Sequence, residues 1–275
     1  ASAHTLAGLV GAHSMGHTSG DAVGLPPELA GLFGGALVCA RRGAPLHSVG
    51  LVRESDRPRV TREALGFSEG AVVLLVLAEA HDVCPEAFSG WMEVLRVARK
   101  AVLWLPYVTG VAQDNLKKQA VHHGISPSRL SFQQVPKRFP ATEALRHASL
   151  ALDTLMASSP APRVAEALRS GVPLVTLPGD VPQRRVGGSL VWASGTHEVA
   201  VARTVHDYEE IAIRLAQRPA ALAVLRAALL ARLPSAREDA KAAVESDERL
   251  LRMLHDTHAA GLEGTPHLVV TSAPL

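Results

Sequence analysis

The histidines, cysteines and serines of this sequence stand at spacings that support little ordinary catalysis. His13 and His17 are four positions apart, as a metal pair on one helix face would be, but Gly16 lies between them and no acidic third ligand is obvious. His122 and His123 fall at the end of a helical pattern, where imidazoles suit the dipole. Serines are present, but none stands in a nucleophile-elbow context. Gly8, Gly11, Gly16 and Gly20 have no strand ahead at the right spacing and no acidic partner behind, so they form no dinucleotide fingerprint. Cys39 and Cys84 are the only cysteines and share no motif; they read as two reduced or buried thiols, with no disulfide framework or zinc site. Two charged stretches remain. Glu79 and Asp82 precede a helical pattern, where acids favour the dipole. Arg163 follows Ser158-Ser159-Pro160-Ala161-Pro162 with Glu166 one turn further on, and Arg163 could meet an anion; the plain alternative is a solvated Arg and Glu on an exposed helix.

Short apolar runs alternating with helical segments must position these residues, and that alternation reads as a parallel sheet with crossover helices. Val72–Leu77, bounded by Gly70 and Glu79, is a continuous apolar run and reads as a strand buried on both faces. Further strands are expected at Ala101–Leu105, Arg129–Gln133, Leu150–Asp153 and Val172–Leu177. Helices are expected over Pro85–Lys100, Gln113–His123 with a left-handed stop at Gly124, Glu143–His147 and Arg163–Arg169. The stretch after Tyr208 reads as three helices, Tyr208–Gln217, Pro219–Arg232 and Ala236 to about His258, punctuated by Pro219 and Pro234. Ahead of residue 60 only Ala36–Ala40 forms a clear apolar strand. Leu268–Val270, in an extended tail, is placed either as an edge strand or against a partner.

The bulk numbers exclude several classes. Among 275 residues 47% are hydrophobic and 20% charged, which is ordinary for a globular domain and far from the signature of disorder. Aromatics are only 4%, so stacking on bases is poorly supplied. With 28 basic and 26 acidic residues scattered along the chain, the net charge of +2 gives no electrostatic case for nucleic acid or an anionic membrane. No apolar run approaches the ~20 residues of a transmembrane helix, so the chain is expected to be soluble. It opens on Ala1-Ser2-Ala3 rather than Met, which fits removal of a transit peptide or signal or an absent start, leaving the compartment open between an organelle and the cytoplasm.

From Thr61 onward a collinear set of phrases carries a resemblance. They are Thr61-Arg-Glu-Ala-Leu-Gly-Phe-Ser-Glu-Gly-Ala-Val-Val, Lys100-Ala-Val-Leu-Trp-Leu, Gly124-Ile-Ser-Pro-Ser-Arg-Leu-Ser-Phe, Ala151-Leu-Asp-Thr, and Gly171-Val-Pro-Leu-Val-Thr-Leu-Pro-Gly with Arg185-Val-Gly-Gly-Ser. Together they resemble the C-terminal lobe of the O-GlcNAc transferase and SPINDLY glycosyltransferases, over about Thr61 to Gly261. The resemblance implies an α/β, Rossmann-like doubly wound parallel sheet, the nucleotide-sugar lobe of a glycosyltransferase-B fold, with a C-terminal helical extension. The expected organisation is an N-terminal remnant or extension over 1–60, the lobe over 61–205, helices packing on it over 206–261, and an extended tail over 262–275. The second lobe is expected to be a remnant at best, and the tetratricopeptide array that usually precedes it to be absent from this chain.

The resemblance also locates the chemistry. Sugar transfer develops negative charge on the leaving diphosphate, which cations or oriented N–H donors must stabilise. The family's Gln-x-x-Lys phrase becomes Glu79-Ala80-His81-Asp82 here. Exchanging a favourable charge pair for a repulsive one at ~4 Å shifts the interaction by roughly 8 kcal/mol before screening. A Gly-His-Thr-Thr phrase that holds the diphosphate becomes Ser158-Ser159-Pro160-Ala161-Pro162-Arg163 here, where two prolines remove donors and the His is gone. What survives is a vestigial nucleotide-sugar site of Lys137, Arg138, Ser159, Arg163 and Glu166. Lys137 or Arg138 stands for a basic family position, and Glu166 for the acid that meets ribose hydroxyls. No catalytic residue, metal ligand or cofactor is expected. The function implied is that of a catalytically inactive glycosyltransferase-like protein serving as a structural or interaction subunit among other protein subunits, without nucleic acid. Two alternatives stand beside it: an active O-glycosyltransferase using UDP-GlcNAc or GDP-fucose on protein Ser/Thr, with Lys137, Arg138 or Arg163 compensating, and a nucleotide-sugar-binding module without turnover.

Overall fold

A computed structural model describes Thr18–Asp21, Leu37–Ala40, residues 60–232 apart from 137–138 and 156–158, single positions of a helical stretch between 241 and 260, and Leu268–Val270. Its centre is a five-stranded, all-parallel sheet. In spatial order the strands are β5 (Leu130–Ser131), β4 (Ala101–Trp104), β3 (Val72–Val76), β6 (Leu150–Leu152) and β7 (Leu174–Val175). Registers such as Leu74 opposite Leu103 and Leu150 put the continuous apolar run of β3 at the middle, where both faces are covered. The order turns from β4 and β5 on one side of β3 to β6 and β7 on the other, as in doubly wound sheets.

Successive side chains of β3 feed two separate cores, because the pleat alternates. Val72, Leu74 and Val76 pack with α1 (Pro85–Val97) and α7 (Val205–Ala216). Val73, Leu75 and Leu77 pack with α3 (Ala141–Leu145), α4 (Ala161–Arg169) and α5 (Val186–Ala193). Helix α2 (Val111–His122) contributes Ala120 to the first core, and α8 (Pro219–Arg232) spans both, with Leu222 and Leu225 in one and Leu229 in the other. The buried aromatics carry polar ends that find partners. Trp91 Nε1 donates to the Tyr208 hydroxyl at 3.1 Å and Trp104 Nε1 to the Gln133 carbonyl at 2.7 Å. Arg129 fastens the edge of the sheet by donating to the carbonyls of Leu95, Ala98 and Ala101.

The expected strands are all present and several are shorter. Arg129–Gln133 contracts to Leu130–Ser131 because Arg129 closes a 3-10 turn begun by Pro127. In Val172–Leu177 only Leu174–Val175 pair with β6, while Thr176 bridges to Val201 instead. Gly124 is left-handed, with φ 72°, and ends α2 as its sequence suggests. Helices α5 and α6 (His197–Ala200) have no counterpart in the periodicity analysis. A second, three-stranded parallel sheet joins β1 (Thr18–Asp21), β2 (Leu37–Ala40) and β8 (Leu268–Val270), so the late apolar run is an edge strand against β2. Gly20 lies within β1; His13, His17, Gly8, Gly11, Gly16 and Pro234 lie outside the described residues. Among the described residues no helix is long and apolar enough to cross a membrane.

Candidate functional site

In an open parallel sheet ligands bind outside the carboxyl ends of the strands, where the order reverses. Here that edge is formed by the segments after β3, β4, β6 and β7, and two polar clusters occupy it.

The first is built on Arg163, in the opening turn of α4. One guanidinium nitrogen of Arg163 donates to Glu79 Oε1 at 2.6 Å and the other to the Leu77 carbonyl at 3.3 Å, just past β3. The guanidinium lies over the Tyr107 ring, 3.9 Å from its centroid, and Tyr107 comes from the segment after β4. The hydrogen bond and charge of Arg163 hold the Glu79 carboxyl below the usual range. Burial raises Tyr107, and Glu166 raises it further while Arg163 opposes. Half-buried Glu166 is likewise raised by burial against the pull of Arg163. Arg163 and Glu166 are therefore both partly buried and electrostatically coupled, unlike the solvated pair of the plain alternative. The cluster is a charge-paired set in which an arginine is shared by a carboxylate, a carbonyl and a ring.

The loop that supplies Glu79 is itself braced. A 3-10 turn, Ala80–Asp82, carries a capping box in which the Glu79 backbone N–H donates to Asp82 Oδ2 at 3.0 Å. Asp82 is thus folded back on its own turn, with His81 alongside at 3.5 Å. Cys84 then caps α1, its sulfur accepting from the Ala87 N–H at 3.4 Å, which gives that thiol a structural role. At the other wall, α4 starts from Pro160 with no side-chain cap, and Pro162 removes one of the first N–H groups that an anion would use.

The second cluster centres on Asp153, immediately after β6 and buried. Ser159 Oγ donates to its Oδ1 at 2.6 Å, Thr176 Oγ1 to its Oδ2 at 2.7 Å, and the Thr154 N–H to Oδ1 at 2.9 Å. Burial raises the Asp153 carboxyl in spite of these donors. Its backbone carbonyl accepts from the Tyr208 hydroxyl at 2.8 Å, so the cluster continues into the Trp91 contact of the core. Gly187, in the first turn of α5, closes over it, and a Cβ there would overlap Asp153 Oδ2. The glycine is needed for this close approach.

Of the residues read from sequence as a vestigial site, Ser159 therefore belongs to the buried Asp153 network, whereas Arg163 and Glu166 share the other cluster. Lys137 and Arg138 lie outside the described residues. Sequence reasoning missed Tyr107, Asp153 and Thr176 as members. Asp153 and Thr176 were legible as polar residues ending apolar strand runs; Tyr107 carried no such signal, since only the bend after β4 turns it toward α4. Among the described residues no group of three His, Cys, Asp or Glu side chains is placed to hold a metal.

Comparison with known proteins places this architecture. The chain is 28% identical over 203 residues to the UDP-N-acetylglucosamine–peptide N-acetylglucosaminyltransferase of Caenorhabditis elegans, covering 74% of this chain and 18% of that protein. It is 26% identical over 204 residues to the Arabidopsis thaliana protein SEC of the same description, covering 73% of this chain and 20% of that one. An O-GlcNAc transferase structure from Thermobaculum terrenum superposes with a TM-score of 0.72 at 26% identity, covering 90% of this chain and 46% of that chain. The chain thus spans about a fifth of the length of the curated relatives it matches. The model of glycosyl transferase family 41 matches residues 48–245, the stretch that carries the whole five-stranded sheet and both polar clusters, and this chain belongs to that family.

Proposed function

We propose that this chain is a family 41 lobe that does not transfer sugar and that it serves as a structural or interaction subunit. The observation that carries the reading is the 2.6 Å pair between Arg163 and Glu79. Transfer from a nucleotide sugar needs positive charge aimed at the departing diphosphate. Arg163, the cation at the start of α4, is already neutralised by a carboxylate and laid against Tyr107. A diphosphate would have to displace Glu79 and would still face that carboxylate and Asp82 in the same loop. Exchanging one anion for another at a single guanidinium gains little, and the proline-rich start of α4 offers few N–H groups in compensation.

A nucleotide-binding module without turnover is the second reading, and half-buried Glu166 favours it. A carboxylate one turn into α4 suits the hydroxyls of a ribose, and the charge of Arg163 acts on it against its burial. Calorimetric titration with UDP and GDP, together with a donor-dependent transfer assay using UDP-GlcNAc and GDP-fucose, tests both readings. No transfer is expected from either donor. Glu79→Gln, which releases Arg163 from its partner, is expected to raise UDP affinity several-fold and still give no transfer. Saturable UDP binding by the unmodified chain selects the binding module. Robust glycosylation abolished by Arg163→Ala would overturn the proposal in favour of an active transferase.

A further inference from the structure

At the opposite, amino-terminal edge of the sheet lies a cavity of about 390 Å³ that the reading above does not use. It sits between the entry to β3 (Gly70, Ala71), the turn entering β6 (His147, Ser149) and the first turns of α8. Its basic side chains are Arg62, Arg146, Arg226 and His147, and no Asp or Glu is among the described residues that line it. The volume falls within the several hundred Å³ of ordinary small-molecule sites and exceeds the need of a bare ion. Val72 and Leu222 supply apolar wall beside the charges.

Two of the arginines are held in place by the backbone. Arg62 donates to the carbonyls of Ser68, Ala71 and His147, at 3.1 Å to the first and 3.0 Å to the last. Arg226 donates to the Ser170 carbonyl at 2.9 Å and the Ala148 carbonyl at 3.4 Å. Carbonyls orient a guanidinium without cancelling its charge, so both cations are fixed in position and no carboxylate pairs with them among the described ion pairs. Arg146, 45% exposed on its side chain, reaches Glu143 at 3.6 Å, and Glu143 does not line the cavity. His147 Nε2 is engaged with the Val60 carbonyl at 2.7 Å, which fixes the ring. The strain of assembling like charges appears at Arg226, where burial and then Arg146 disfavour the charged form. An anion relieves that repulsion, and arginine forks suit the tetrahedral oxygens of a phosphoryl group better than lysines would.

We propose that this amino-edge cavity binds a phosphate monoester with an apolar or ring portion, Arg146 and Arg226 meeting the phosphoryl group and the Val72–Leu222 wall meeting the remainder. The site is separate from the carboxyl-edge clusters, so it stands or falls independently of the sugar-transfer reading. The test is calorimetric titration of the intact chain with phenyl phosphate, and co-flotation with vesicles containing phosphatidic acid, whose headgroup carries the same chemistry. Saturable phenyl phosphate binding that weakens with added salt is expected, reduced at least tenfold by Arg146→Ala and by Arg226→Gln and unchanged by Arg163→Ala. Arg146→Ala removes an exposed side chain, so its melting temperature should match that of the unmodified chain. Binding only to the vesicles, with the same arginine dependence, assigns the phosphoryl group to a lipid headgroup and upholds the site. The proposal is overturned if neither probe binds, if Arg146→Ala binds as well as the parent, or if Arg163→Ala abolishes binding.

Discussion

The two polar clusters at the carboxyl edge of the sheet are built to opposite specifications. Asp153 is buried, accepts from Ser159, Thr176 and Thr154, and is roofed by a glycine that leaves room for nothing larger. Glu79, three residues beyond the end of β3, is 44% exposed on its side chain and is held by Arg163 together with the capping box of its own turn. The difference separates a closed, buried network from a partly exposed charge pair. A buried network must be complete, since each orphaned donor costs the full desolvation of a polar group. An exposed ion pair is nearly free to change, because its contribution to stability is small. The Glu79–Arg163 pair can therefore change with less effect on the fold than the Asp153 network.

The sharpest way to break the comparison is Asp153→Ala. It strips the acceptor from two buried hydroxyls and the backbone N–H groups of Thr154 and Ser159, and a loss of about 4 kcal/mol is expected from urea unfolding followed by circular dichroism. A loss no larger than that of an exposed residue would show that the network is not needed for the fold. Next in size is Tyr208→Phe. The hydroxyl accepts from Trp91 and donates to the Asp153 carbonyl in the interior, so its removal orphans both groups. About 2 kcal/mol should be lost in the same measurement, with a change in tryptophan fluorescence from Trp91.

The smallest effect is one of slope. Burial raises the Asp153 carboxyl in the folded state, so its contribution to stability is full below the unfolded value of about 4 and declines as pH rises through the raised folded value. Glu79 runs the other way. Arg163 lowers its carboxyl, so its contribution is present above the unfolded value and is lost as pH falls through the lowered one. Urea midpoints of the parent, Asp153→Asn and Glu79→Gln, compared from about pH 2 to about pH 7, should therefore diverge in opposite senses with pH, Glu79→Gln below its unfolded value of about 4 and Asp153→Asn above it. Parallel curves for the two variants would mean that the clusters do not differ in this respect.

Much of the lobe was legible along the chain, for local reasons. The run from Val72 to Leu77 is apolar at every position, which only a strand covered on both faces requires, and the structure centres its sheet there. Pro219 opens α8 and Gly124 closes α2, because fixed φ and left-handed freedom act within one or two residues. The short helices α5 and α6 were not legible, since the apolar stretch from Val186 to Ala193 has no amphipathic period to betray a helix.

Residue type and order by themselves determined that this chain forms a doubly wound parallel sheet, that its cores are aliphatic, and that the acids Glu79 and Asp82 stand between β3 and the next helix. Only tertiary structure decided what those acids do. Asp82 turns back to brace its own loop, while Glu79 crosses to Arg163, 84 positions away in sequence. Ser159 turns to the buried Asp153, and Tyr107 becomes the platform for the guanidinium. The physical reason is range. Strand and helix signals are written within a few residues of one another, whereas the partner of a charge is set by which strand ends the sheet order brings side by side.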